Sequence, residues 1–171
     1  MDPRQKQLRR VLRISKINAW SVTIISGGFA VLNLYGMSWV GVLVGGSIAG
    51  AGLMEMRGHR RLEAGQSGAR KWMVFSQAWL VLCVLAYCGW RLAALDPADP
   101  FAMLGDTTGL NQLVAIAGIS TEELGGLFIQ IYTYTYGAVA ALTLVFQGGL
   151  GLYYWVRVAG LEGHSPNAAS H

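Results

Sequence analysis

The chain has 171 residues, of which 53% are hydrophobic and 13% charged. Soluble domains carry about 25% charge, and roughly half of that cannot cover a soluble globule of this size; disorder is excluded too, because it needs low hydrophobicity and high charge. What remains is an integral membrane protein, and at about 20 apolar residues per crossing the length accommodates four spans and one modest extramembrane element.

The net charge is +4, from 13 Lys+Arg against 9 Asp+Glu. Its placement gives its meaning. Arg4, Lys6, Arg9, Arg10, Arg13 and Lys16 precede the first apolar run. Arg57, Arg60, Arg61, Arg70 and Lys71 sit in one short segment, Arg157 closes the last run, and only Arg91 falls elsewhere. That is the distribution the positive-inside rule produces. A nucleic-acid surface would interleave aromatic residues with the basic ones, and neither cluster does so; nucleic acid is therefore not an expected partner.

The first apolar run, Ile17 to Tyr35, is uncharged and ends at Gly36. It is too long for a cleaved signal peptide and lacks a small-residue cleavage site before Asn33, so it is expected to be a retained anchor. The second run, Trp39 to Met54, stops at Glu55. Only Gly36, Met37 and Ser38 separate the two, which predicts a tight helical hairpin. The third runs from Trp72 to Trp90, and the fourth from about Leu127 to Val156.

The expected fold is an all-α membrane protein with four transmembrane helices in an antiparallel bundle. The spans are placed at about 17–36, 39–56, 72–92 and 127–156 within a domain covering 17–157. Residues 1–16 form a basic cytoplasmic segment and 158–171 a cytoplasmic disordered tail. Both termini are placed in the cytoplasm, in a plasma or inner membrane. Tryptophan placement agrees with these spans: Trp20, Trp72 and Trp155 mark inner ends, Trp39 and Trp90 mark outer ends, and only Trp79 lies inside a span.

The outer loop, 96–126, is expected to carry a short amphipathic helical hairpin on the non-cytoplasmic side. Leu110, Leu113, Val114 and Ala117 repeat at helical spacing, with Gly118 as terminator. Ser120 to Glu123 has capping-box spacing ahead of Leu124, Leu127, Phe128 and Ile131. Two alternatives stand beside this. The alternation Tyr132-Thr133-Tyr134-Thr135-Tyr136 reads locally as a strand, and the 110–117 helix can also be drawn as re-entrant. The basic tail carries Leu8, Val11, Leu12 and Ser15 on one side, either as an amphipathic helix lying on anionic lipid or as a frayed topology signal.

Eliminations narrow the chemistry. The histidines, His59, His164 and His171, all fall outside the spans, so intramembrane haem ligation has no ligand. No Asp, Glu, Lys or Arg lies well inside a span, which disfavours ion-coupled transport and intramembrane catalysis. Cys83 and Cys88 point about 140° apart on one helix, so no redox pair is expected. No catalytic residue, metal site or cofactor is assigned.

What is present is packing chemistry. Gly41, Gly45, Gly46, Ala49 and Gly50 form small-x-x-x-small pairs on the second span, a helix-packing and oligomer face. Asn33, Ser47, Gln77 and Gln147 form a candidate polar lining, and Gln77 and Gln147 lie at similar depth, suited to a direct bond. Arg9, Arg10, Arg13, Lys16, Arg60, Arg61, Arg70 and Lys71 are candidate anchors for anionic lipid headgroups. The leading expectation is a non-catalytic structural, assembly or accessory subunit in a homo- or hetero-oligomer. The alternative is an oligomeric channel or facilitator lined by the intramembrane Asn, Gln and Ser side chains.

Overall fold

The computed structural model describes residues 3–97, 100–101, 118 and 120–161. Every regular element among the described residues is helical. We label them α1 (Pro3–Tyr35), α2 (Trp39–Glu63), α3 (Ala69–Ala93), α4 (Thr121–Thr143), a π-helical turn (Leu144–Gly148) and α5 (Gly149–Val158). Four stretches are long and apolar enough to cross a membrane: Pro3–Tyr35, Trp39–Glu63, Ala69–Ala93 and Thr121–Val158. The tyrosine-threonine alternation at 132–136 is part of α4, not a strand. The 110–117 helix and most of the 158–171 tail fall outside the described residues.

The helices overrun the apolar runs at several ends. α1 has 33 residues, about 50 Å at 1.5 Å per residue. α2 continues past Glu55 to Glu63. The first turn is tight for a local reason. Ser38 N–H donates to Asn33 O at 2.9 Å and Met37 N–H to Leu34 O at 3.2 Å, the two bonds of a Schellman helix end. The left-handed residue this motif needs is Met37, with φ of 54°, rather than the neighbouring Gly36. The α2–α3 connection ends the same way, with Gln66 N–H on Arg61 O at 2.9 Å and Gly65 N–H on Leu62 O at 3.1 Å. There the left-handed position is a glycine, Gly65, φ 66°, which adopts it without a Cβ clash.

After the first turn α2 runs back along α1. A Cβ on Gly41 would meet the Asn33 side chain. One on Gly45 would lie 2.9 Å from both Ser26 O and Ala30 N, and one on Gly52 would lie 2.9 Å from Ala19 O. Numbers fall on α1 as they rise on α2, and glycine is what lets the two backbones approach.

The described chain divides into two compact units, one comprising residues up to 84 together with 143 onward, the other residues 85–142. The first unit has a core of Leu8 and Val11 from α1, Leu62 from α2, Ala69 and Met73 from α3, Tyr154 and Val158 from α5, and Leu161. The apolar side of the basic N-terminal segment is therefore covered by protein: Leu8, Val11 and Ser15 are buried. The segment is helical throughout and continuous with the rest of α1.

In the second unit Phe101 packs on Phe128, Phe128 on Tyr132 and Tyr132 on Tyr136, with ring centroids 5.4, 5.7 and 4.5 Å apart. The start of α4 is capped reciprocally. Glu123 N–H donates to Ser120 Oγ at 3.1 Å and Ser120 N–H to Glu123 Oε2 at 3.0 Å, the capping box its sequence spacing indicates.

Candidate functional site

The most unusual chemistry in the first unit surrounds Glu55. Carboxylates are almost never fully buried unless their lone pairs are met by donors, yet Glu55 is 1% exposed. Among the described residues it is the only buried side chain that ordinarily carries charge. Its two oxygens are met from three other helices. Asn18 Nδ2 on α1 donates to Oε2 at 2.6 Å, Gln77 Nε2 on α3 donates to Oε2 at 2.9 Å, and Tyr154 Oη on α5 donates to Oε1 at 2.6 Å. Each of the four helices that build this unit thus supplies one polar group, and they converge on one carboxyl.

The local sequence explains how Glu55 gets there. Gly41, Gly45 and Gly52 share the α2 face that meets α1, and Glu55 lies three residues beyond Gly52, in phase with that face. Just beyond the close approach at Gly52, Asn18 of α1 reaches Glu55. Gly151 does the same for α5, since a Cβ there would sit 3.3 Å from Gln77 Cβ.

The arrangement is filled with donors rather than open to a reactant. An ionised carboxylate only accepts, and three donors already engage it. In this unit Thr23 Oγ1 and Gln77 Oε1 are among the buried oxygens without a hydrogen-bond partner. Ser76 is also buried, its hydroxyl donating to its own helix at Met73 O, 2.8 Å. One turn along α2, His59 Nε2 lies 3.9 Å from Glu63 Oε2. Among the described residues no group of three or more His, Cys, Asp and Glu side chains is placed to hold a metal ion.

The residues singled out from the sequence separate. Gly41 and Gly45 pack on α1, whereas a Cβ on Gly46 or Gly50 would meet nothing within 4 Å. Ala49 is half-buried between those two faces. Asn33 Nδ2 donates to Phe29 O on its own helix at 2.8 Å, and Ser47 is half-buried. Gln77 and Gln147 do line one groove, of about 480 Å³, with Gly148, Gly151 and Trp155. The direct amide bond expected between them is not made: both carbonyl oxygens are without a donor, and the Gln77 amide is turned to Glu55 instead. Gln147 lies in the π-helical turn, where one extra residue re-aims the side chains that follow.

Arg9, Arg10, Arg13 and Lys16 are exposed on α1, as are Arg60, Arg61 and Lys71 on α2 and α3. The guanidinium groups of Arg57 and Arg61 lie over the Trp72 ring at 5.6 and 5.8 Å, and that of Arg70 over Trp155 at 4.7 Å. These are cation–π distances on rings that the sequence places at a membrane interface.

In the second unit, Arg91 is held by rings. Its guanidinium lies 5.6 Å from the Tyr132 ring centre and 5.8 Å from that of Tyr136. Its Nε donates to Tyr136 Oη at 3.2 Å, and Tyr132 Oη donates to the Arg91 carbonyl at 3.4 Å.

Sequence reasoning did not single out Glu55, Asn18 or Tyr154. The signal was present in the register: Glu55 is in phase with Gly45 and Gly52. Comparison with known proteins finds no family model, no curated protein and no solved structure that matches the chain.

Proposed function

We propose that this protein is a non-catalytic polytopic membrane protein, an assembly or accessory subunit, built as an antiparallel four-helix bundle with both termini in the cytoplasm of a plasma or inner-membrane system. The observation that carries this reading is the state of Glu55. A catalytic or ion-carrying carboxylate must reach substrate or water. This one is 1% exposed and engaged by donors from three helices. Its role is to clasp the bundle, because without it the Gln77 and Tyr154 donors would be buried and unmatched and Asn18 would lose its partner across the hairpin.

The contact face for a partner is the side of α2 carrying Gly46 and Gly50. These glycines have open space where Gly41 and Gly45 meet α1, and small residues permit close helix approach in lipid. The test is a paired substitution followed by cross-linking and native electrophoresis. Gly46→Leu with Gly50→Leu is expected to abolish the oligomer or complex while the monomer stays folded. Unchanged assembly would overturn the reading.

One observation favours a channel or facilitator instead. Gln147 Oε1 is buried without a partner beside the groove it shares with Gln77, and an amide-lined groove closed by a neighbouring subunit is a pore wall. Asn33, fifteen residues from Asn18 on α1 and so about 22 Å along the axis, does not join that groove. Solute flux in liposomes that disappears in Gln147→Ala, with assembly intact, would select this second reading.

A further inference from the structure

α1 turns Leu8, Val11 and Ser15 into the core, which leaves its basic residues on the remaining faces. Lys6, Arg10 and Arg13 follow at i, i+4 and i+7, one stripe of the helix. α5 brings Tyr153 and Arg157, also four apart, to the same place. Together with Arg9 these residues line a cleft of about 780 Å³. Five basic side chains border it, and among the described residues no acidic one does.

Packing gives no reason for this. Five like charges around one hollow repel each other, and nothing in the bundle needs them there. Topology requires positive charge on this side of the membrane but not its convergence. The other basic segment differs, since there Arg57 and Arg61 lie over Trp72 and Arg70 over Trp155.

We infer that this cleft is a binding site for an anionic lipid whose headgroup bears two phosphates. The inference rests on the chain living in a bilayer, as proposed above, and not on its assembly role. Guanidinium groups bind phosphate oxygens in pairs, and Tyr153 adds a phenolic donor. A headgroup with two phosphates meets twice as many of the five charges as a single phosphodiester and offers oxygens to guanidinium groups on both α1 and α5. The lipid source is favoured over a soluble polyphosphate by what adjoins the basic stripe. Ile14 lines the cleft, and Ile17 and Val156 are each 62% exposed, an apolar surface on which acyl chains can lie.

The full chain in neutral detergent is titrated by displacement of fluorescent diphosphatidylglycerol. Unlabelled diphosphatidylglycerol should displace it at lower concentration than phosphatidylglycerol matched in phosphate, and inorganic pyrophosphate should displace it poorly. Arg13→Gln with Arg157→Gln should weaken binding about tenfold or more, as should Lys6→Gln with Arg10→Gln, while Arg61→Gln with Lys71→Gln, equal in charge lost, should change it less than about twofold. Equal losses in all three pairs would overturn the site in favour of diffuse charge. Pyrophosphate competing as well as the lipid would overturn the lipid assignment. A wild-type chain that resists carbonate extraction yet binds no labelled lipid would overturn the site while leaving the membrane reading standing.

Discussion

Glu55 on α2 and Arg91 on α3 are both charged residues on strongly apolar helices, and the chain treats them differently. Glu55 is 1% exposed, and its oxygens are matched one by one with N–H and O–H donors. Arg91 is only half-buried, and its charge is met by the faces of Tyr132, Tyr136 and Trp90. The difference follows from the groups. A carboxylate is compact and accepts only, so it needs donors aimed at it from several directions, which several helices must supply. A guanidinium is flat, weakly hydrated and spreads its charge, so aromatic faces on one neighbouring helix suffice. The acid therefore links four helices, whereas the cation links one helix to the next.

Breaking the acid cluster should have the largest effect. Glu55→Ala leaves two buried donors, on Gln77 and Tyr154, and the half-buried Asn18 amide without an acceptor; at about 1–3 kcal/mol for each buried donor, a loss of about 3 kcal/mol or more is expected in denaturant unfolding of the detergent-solubilised chain. Glu55→Gln keeps the volume and one acceptor oxygen and should lose less. A Glu55→Ala chain as stable as wild type would show that the carboxyl does not hold the bundle together.

The next effect tests how Glu55 reaches its partners. A leucine at Gly52 would press on Ala19 O, 2.9 Å from where its Cβ must go, and push α1 away from α2. Overpacking of this kind costs about 1–3 kcal/mol, and here it also separates Asn18 from Glu55. Gly46→Leu, with open space around it, should leave monomer stability unchanged. Equal losses from both substitutions would show that Gly52 is not special to the hairpin.

Tyr154→Phe isolates a single arm of the cluster. It removes the donor to Glu55 Oε1 and keeps the ring in the core. A hydrogen bond to a charged group contributes about 1.5–3 kcal/mol. Tyr136→Phe in the second unit removes a bond to Arg91 that is longer, at 3.2 Å, and half-buried rather than buried, leaves the ring face in place, and should cost clearly less. If the two cost the same, the contrast between matched donors and ring faces fails.

Much of this architecture was legible in the sequence, and the part that was not has a physical cause. Long apolar runs were legible because composition alone marks them, and four helices long and apolar enough to cross a membrane are present. Ser120 and Glu123 were readable because a capping box is local. Glu55 was not, because it ends an apolar run and reads as the point where lipid stops. Only its register with Gly45 and Gly52 shows that it turns inward. Asn18 and Tyr154 lie far from it in the chain, and no local pattern joins them. Gln77 was singled out, but its partner was misassigned, since similar depth in two helices does not fix which way an amide turns. Met37 escaped notice because Gly36 beside it is the residue that ordinarily takes a left-handed backbone.

The smallest effect, Arg91→Lys, is the most selective test of the comparison. Lysine keeps the charge and most of the length, so a role in simple charge placement would be unaffected. It loses the flat guanidinium that lies within 6 Å of the Tyr132 and Tyr136 ring centres and the Nε donor to Tyr136 Oη. Cation–π contacts at exposed sites contribute about 0.5–1 kcal/mol, so a loss of that order is expected, read most directly as faster amide exchange in α4 near Tyr132 and Tyr136. The same exchange measured across α2 and α5 should not change, because the Glu55 cluster has no cation among its donors. Protection lost around Tyr154 as well would mean that the two clusters act as one network, and the separation between matched donors and ring faces would have to be given up.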